Sequence, residues 1–230
     1  FFSAASMLGP EAAVDVAKES DAAFLAKACV LAERAHTTAG LWDVLFDVSE
    51  EDRLRILAHW IQHDAGGPLH FSRFVVVRKD ERPVACCAGY LGDETSIFTR
   101  RAELQSAAEK VVGWTPEVFA EKWSGLQFFG ESFPEDVDYK GAFMIEGVYT
   151  EPETRGMGLA SVLVRAQVDK GRKTPAKQAL ITCSIGNDKA QRIYERVGFK
   201  LKGEGQNDEC LKRLGYPGFR VLGFEGFLGS

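Results

Sequence analysis

A chain of 230 residues, 45% hydrophobic and 27% charged, is long enough to bury a sizeable core, and one domain carrying an insertion (1–230, with 92–141 inserted) is its simplest division. A net charge of -5 argues against a nucleic-acid partner and mildly favours a cationic or amine ligand, and no apolar run approaches the roughly 20 residues that cross a bilayer. The 5 cysteines, Cys29, Cys86, Cys87, Cys183 and Cys210, include no Cys-x-x-Cys pair, so a reducing compartment is expected rather than a disulfide framework or a zinc site.

The chain begins Phe1-Phe2 instead of methionine, which reads as a processed or truncated start. Phe1–Leu8 lacks the basic region of a secretory signal; it fits an organelle-targeting remnant or an arbitrary boundary, and Gly229-Ser230 reads as vector-derived. The compartment expected is intracellular, cytoplasmic or organellar. Ala13–Val16 is a short first strand. Glu19-Ser20-Asp21 caps a helix running to Ala35, with Phe24, Ala28, Leu31 and Ala35 on one face. Thr37–Gly40 breaks it. Ser49 then caps a second helix, its first turn acidic at Glu50, Glu51 and Asp52, its apolar stripe Leu54, Leu57 and Ile61. His59 and His63 have metal-like spacing, but no third ligand accompanies them, so they read as a solvated face.

Phe71–Arg78 and Pro83–Leu91 form a hairpin around Lys79-Asp80-Glu81-Arg82. The next 50 positions, Gly92–Gly141, hold helical patterns at Thr99–Val112 and Pro116–Trp123. They also hold Trp114, Trp123, Phe128, Phe129 and Phe133, and an acidic patch of Glu131, Glu135, Asp136 and Asp138. Phe143–Tyr149 is a strand. Gly156–Lys170 is a helix, Ala179–Cys183 a buried strand, Asn187–Val197 the last long helix, and Phe199–Lys202 and Phe219–Phe224 the closing strands.

The chemistry concentrates where Phe143–Tyr149 feeds the following helix. Arg155, Gly156, Met157, Gly158, Leu159 and Ala160 make a glycine-rich turn into a helix N-terminus, where free backbone N–H groups and the helix dipole bind phosphate. A P-loop would need Gly-Lys-Ser/Thr, and a dinucleotide fingerprint a third glycine; neither is present. Downstream, Asn187 and Tyr194 lie two helical turns apart and share a face, with the small Ala190 between them. Glu146 interrupts an apolar strand. Simple alternation places Glu146, Val148 and Thr150 on one face and Gly147 and Tyr149 on the other. A carboxylate there is costly unless it is paired or used.

The turn Arg-Gly-Met-Gly-Leu-Ala after Tyr149-Thr150-Glu151-Pro152-Glu153, followed by Asn187…Ala190…Tyr194…Gly198-Phe199, closely resembles the core of the GNAT superfamily, the acyl-CoA-dependent N-acyltransferases. The element order is similar across most of the chain, though only residues 143–199 carry specific motifs. The resemblance implies a mixed-sheet α/β fold with a helical insertion between strands 3 and 4, and acetyl-CoA as co-substrate. It implies that Arg155, Gly156, Met157, Gly158, Leu159 and Ala160 hold the CoA pyrophosphate. It further implies that Val148, Thr150 and Asn187 contact the pantetheine and acetyl group, and that Tyr194 protonates the departing thiolate. Glu146 then reads as the general base or as a paired structural carboxylate. The acceptor implied is a small-molecule or peptide amine; a homodimer stays open, and so does a noncatalytic GNAT-fold module that binds CoA or a protein. Trp42 and Asp43 read as a core tryptophan with a turn cap, or as lining of the acceptor groove. Gly92–Gly141 reads as self-packed aromatics, or as a wall over the acceptor site.

Overall fold

The computed structural model describes residues 14–224 and 227. Ala13 of the expected first strand, Phe1–Leu8 and Gly229-Ser230 lie outside the described residues. In chain order the elements are β1 (Val14–Val16), α1 (Ala22–Arg34), α2 (Leu41–Leu45), α3 (Glu50–His63), β2 (Phe74–Lys79), β3 (Arg82–Leu91), α4 (Arg101–Val112), α5 (Pro116–Ser124), α6 (Gln127–Gly130), β4 (Ala142–Thr150), α7 (Leu159–Gly171), β5 (Gln178–Ser184), α8 (Asp188–Val197), β6 (Phe199–Gln206), α9 (Asp208–Leu214) and β7 (Gly218–Phe224). The strands form one sheet in the order β1-β2-β3-β4-β5-β7-β6. Every pairing is antiparallel except β4 with β5, which the α7 crossover makes parallel.

Helices cover both faces of the sheet. α1, α2, α3 and the inserted helices build one apolar core with Val76, Ala88 and Tyr149. α7 and α8 build the other with Val77, Cys87, Ile145 and Ile181. The buried face of α1 is Ala22, Leu25, Ala26, Ala28, Cys29 and Val30; of the expected stripe Ala28 is buried, Phe24 and Leu31 pack against the core edge, and Leu31 and Ala35 also line the cleft described below. Asp21 fixes the start of this region. It accepts from Lys18 N at 2.7 Å and pairs with Arg78 of β2 at 2.6 Å. Ser49 caps α3 by accepting from Asp52 N at 3.1 Å.

α2 and α9 extend the expected pattern. Asp43 accepts from Gly40 N at 2.9 Å to close the first turn of α2, and Trp42, 2% exposed, stacks on Phe46. Trp42 and Asp43 are thus core and cap. Asn207 starts α9 by accepting from the N–H groups of Glu209 and Cys210. The His59 and His63 rings stack 4.1 Å apart, and His63 Nδ1 meets the His59 carbonyl.

Between β3 and β4, α4 packs along α3, anchored where Arg100 pairs with Asp64. The aromatics of this segment pack inward: Phe119 is 0% exposed, Trp114 meets Phe46, and Phe133 stacks on Phe219 of β7 at 4.4 Å.

Candidate active site

The site begins where β4 and β5 part. Their ladder runs from Ala142↔Gln178 to Ile145↔Ile181 and continues no further. At that point β4 carries a bulge. Its register with β3 shifts between Ala88↔Glu146 and Cys86↔Tyr149, and Gly147 takes a φ of +63°. An extra residue bends the bulged strand and re-aims its side chains. Glycine takes this conformation without the Cβ penalty.

The bulge corrects the expected alternation. Glu146 and Tyr149 face α1, the latter with its ring 6.2 Å from Phe24, while Val148 packs with the α7–α8 core. Glu146 and Val148 therefore sit on opposite faces of the sheet, not on the same one.

The gap between the strands opens into a cleft of about 900 Å³. Val148, Thr150, Arg155, Gly156, Gly158, Leu159, Ala160, Asn187 and Tyr194 all line it. Met157 does not; its side chain is 54% exposed. The turn is shaped by glycine. Gly156 and Gly158 have φ of +85° and +79°, and a Cβ on either would meet no atom within 4 Å. Gly158 is the N-cap of α7, so the first N–H groups of that helix begin at an open, uncrowded turn. Arg155 Nε donates to the Thr150 carbonyl at 3.2 Å, which ties the turn to the strand.

α8 forms the opposite wall. Asn187 caps it, Oδ1 accepting from Ala190 N at 3.2 Å, so the cap residue is held at the cleft by its own helix. Arg220 of β7 holds the same helix end through Asp188 at 2.7 Å. Tyr194 is 6% exposed, and burial pushes its phenol well above the ordinary range, so it stays protonated at neutral pH.

A smaller cavity of about 90 Å³ lies at the parting itself, walled by α1, β4, β5 and α8 and sharing Val148, Asn187 and Tyr194 with the large cleft. Glu146 lines it together with Tyr194, Asn187 and Phe219. Its Oε1 is shut off from solvent and has no hydrogen-bond partner. Burial pushes the Glu146 carboxyl up to about 7, against the opposing pull of the Tyr90 hydroxyl.

Two residues on these walls escaped the sequence reading. Glu33 of α1 lines the smaller cavity beside Glu146, and its carboxyl is pushed up to about 8 by burial and by the Glu146 charge. A signal existed: Glu33 continues the buried series Ala22, Ala26, Cys29 at helical spacing. His36 lies in the turn just after the same helix, lining the large cleft 3.5 Å from Ser184 Oγ. Among the described residues no group of three or more His, Cys, Asp and Glu could hold a metal ion.

Comparison with known proteins agrees with this geometry. The chain is similar to an acetyltransferase crystal structure with a TM-score of 0.66 at 16% identity, covering 93% of this chain and 98% of that one. It is similar to an N-acetyltransferase from Staphylococcus aureus Mu50 with a TM-score of 0.62 at 17% identity, over 92% and 99% of the two chains. It is also similar to yncA from Salmonella typhimurium, solved with its cofactor acetyl-CoA, with a TM-score of 0.53 at 12% identity, over 93% of each chain. At such identities the likeness is one of fold. A search of curated proteins finds no match. The family model for the acetyltransferase (GNAT) family matches residues 37–199, which takes in the bulged strand, the glycine turn and the Asn187–Tyr194 helix alike. With well over half its length matched, and with the parted strands and helix-terminus turn in place, the chain belongs to the GNAT family of acetyltransferases.

Proposed function

We propose that this protein is an N-acetyltransferase that moves an acetyl group from acetyl-CoA to a primary amine within one ternary complex. The observation that carries the reading is the meeting, in one cleft, of the β4 edge that β5 leaves unpaired, the α7 N-terminus and the buried Tyr194 phenol. The N–H groups from Gly156 to Ala160 bind the pyrophosphate, with Arg155 beside them. The β4 backbone at Val148 and Thr150, with Asn187 opposite, takes the pantetheine arm and steadies the oxyanion.

Glu146 reaches the reaction from the other face of the sheet. The thioester and the amine thus approach from opposite faces and meet at the bulge. Glu146 takes one proton from the ammonium, which leaves the nitrogen lone pair free. That pair attacks the carbonyl carbon, the C–S bond breaks, and Tyr194 protonates the thiolate. The second nitrogen proton, released as the amide forms, restores the phenol. No covalent enzyme intermediate is required.

A positioned acid contributes roughly 10²–10⁴-fold in rate. Tyr194→Phe keeps the ring and removes only the donor. We expect acetyl-CoA affinity to stay within a few-fold and turnover to fall by roughly 10²-fold, read as CoA thiol released on adding amines. Unchanged turnover would make the hydroxyl structural. CoA binding with no thiol release on any amine would favour a binding module.

A further inference from the structure

Glu33 and Glu146 come from different elements, α1 and β4, and line one cavity of about 90 Å³ at the point where the sheet parts. Neither carboxylate has a hydrogen-bonded cation: no arginine or lysine lines the cavity, and Glu146 Oε1 is buried without a partner. A second orphan lies next to them. Tyr216, 1% exposed, has an unpartnered buried hydroxyl within electrostatic range of Glu33, and its ring rests 5.4 Å from Phe219 of the cavity wall.

One base lies among the titratable groups around the pair, His36, whose ring is 3.5 Å from Ser184 Oγ of the cavity wall and 6.2 Å from the Tyr216 ring; the others are neutral or acidic. Tyr90 and Cys87 of β3 face Glu146, Cys29 faces both carboxylates from α1, Tyr216 faces Glu33 from the β7 side, and Tyr194 and Cys183 share the cavity. Two carboxyls thus share one cavity with no arginine or lysine beside them, and a cationic ligand would supply the missing partner. The remaining walls mix small apolar residues, Ala32, Ala35, Gly147 and Val148 among them, with the polar Thr182, Ser184 and Asn187.

We propose that Glu33 and Glu146 form a two-carboxylate seat for the ammonium group of the acceptor, which is an aliphatic primary amine borne on an unbranched methylene. The proposal rests on the N-acetyltransferase reading and names its acceptor class. Glu33 binds the ammonium as a carboxylate, and burial together with the Glu146 charge makes it give up its own proton later than an ordinary carboxyl does. One N–H bond of the ammonium breaks, its electron pair stays on nitrogen and its proton passes to Glu146. The small volume, about 90 Å³, rejects a branched or secondary amine.

The test uses n-butylamine with the CoA-loaded protein and with acetyl-CoA, in the parent, Glu33→Gln and Glu33→Asp. Calorimetry in buffers of different ionisation heat measures proton release on butylammonium binding, independently of turnover. Steady-state kinetics give KM for each substrate and the pH profile. We expect Glu33→Gln to raise KM for butylamine at least tenfold and leave KM for acetyl-CoA in place. Its acid limb should move to lower pH, its proton release should shrink, and Glu33→Asp should recover part of each. Binding with proton release in the parent but no thiol release would leave the seat standing and remove the enzyme reading. Turnover in the parent, matched by Glu33→Gln in butylamine KM and acid limb, would overturn the seat and leave the enzyme reading intact. Butylamine that neither binds nor reacts would also overturn the seat.

Discussion

Glu33 and Glu146 hold their protons more tightly in the fold than in the unfolded chain, for the same reason: burial disfavours the charged form. The sign of the stability effect follows from linkage. Between the ordinary carboxylate pKa of 4.5 and the folded values of about 8 and about 7, the native state binds more protons than the unfolded one, so stability falls as pH rises through that window. Asp21, Asp43, Glu50 and Glu151 act oppositely, since hydrogen bonds and ion pairs with basic groups lower them; their contribution is lost only as pH falls below the usual carboxylate range. The double variant Glu33→Gln/Glu146→Gln should therefore gain Tm relative to the parent as pH is raised from 5 to 8. Parallel Tm curves for the two proteins would mean that the pair carries no excess protons. At this scale the sequence was half legible. Glu146 stands out as a charge inside an apolar strand. Glu33 does not, because α1 carries charges at Lys27 and Arg34 as well. Its spacing from Ala22, Ala26 and Cys29 is the one trace, and only the packing of α1 against β4 shows that Glu33 faces the cavity while Lys27 is exposed and Arg34 pairs with Asp43 and Glu50.

The glycine turn and the strand before it work as units. Gly156 and Gly158 both stand at left-handed φ with open space where a Cβ would project. Any side chain at Gly158 enters the cleft that the pyrophosphate should occupy. Asp and Asn adopt this backbone region with similar ease, so they separate charge from strain. Gly158→Asp should abolish CoA binding by calorimetry, whereas Gly158→Asn should weaken it and keep a similar Tm. Undiminished affinity in folded Gly158→Asp would place the pyrophosphate elsewhere. This turn was readable because helix-terminus phosphate chemistry is local, set by residues adjacent in sequence. The bulge was not. Gly147 reads as an ordinary strand position under simple alternation, although an isolated glycine in a strand pattern is a recognised bulge signal. The register slip depends on β3, 60 residues away in the chain. α2 and α9 were missed for a related reason: at 5 and 7 residues they are too short for helical periodicity to emerge. Asp43, read as a turn cap, was the legible trace of α2, whereas the Asn207 cap of α9 went unread.

At the scale of the molecule the segment between β3 and β4 belongs to the core rather than to the mouth of the cleft. Glu131, Glu135, Asp136 and Asp138 line neither the 900 Å³ cleft nor the 90 Å³ cavity. Glu131 instead accepts from Gln127 and Asn207, while Pro134, Asp136 and Val137 lie over Gly203 of β6. Neutralising the four acids to Gln and Asn should thus leave the amine KM within about twofold and the salt dependence unchanged, because exposed charges beyond a Debye length of about 8–10 Å are screened. The aromatics divide differently. Phe119 is 0% exposed and packs on Trp123, remote from the cavity wall, whereas Phe133 stacks on Phe219, which forms part of that wall. Truncating a buried phenylalanine costs about 3–5 kcal/mol, so Phe119→Ala should lower Tm strongly. Phe133→Ala, only half-buried, should cost less. Amine kinetics on the folded fraction then separate the two. Phe133→Ala should raise the KM for the amine by loosening Phe219, with the KM for acetyl-CoA held, and Phe119→Ala should change neither. Equal amine KM in both variants would confine the whole segment to stability and leave the acceptor wall to α1, the bulge and β7.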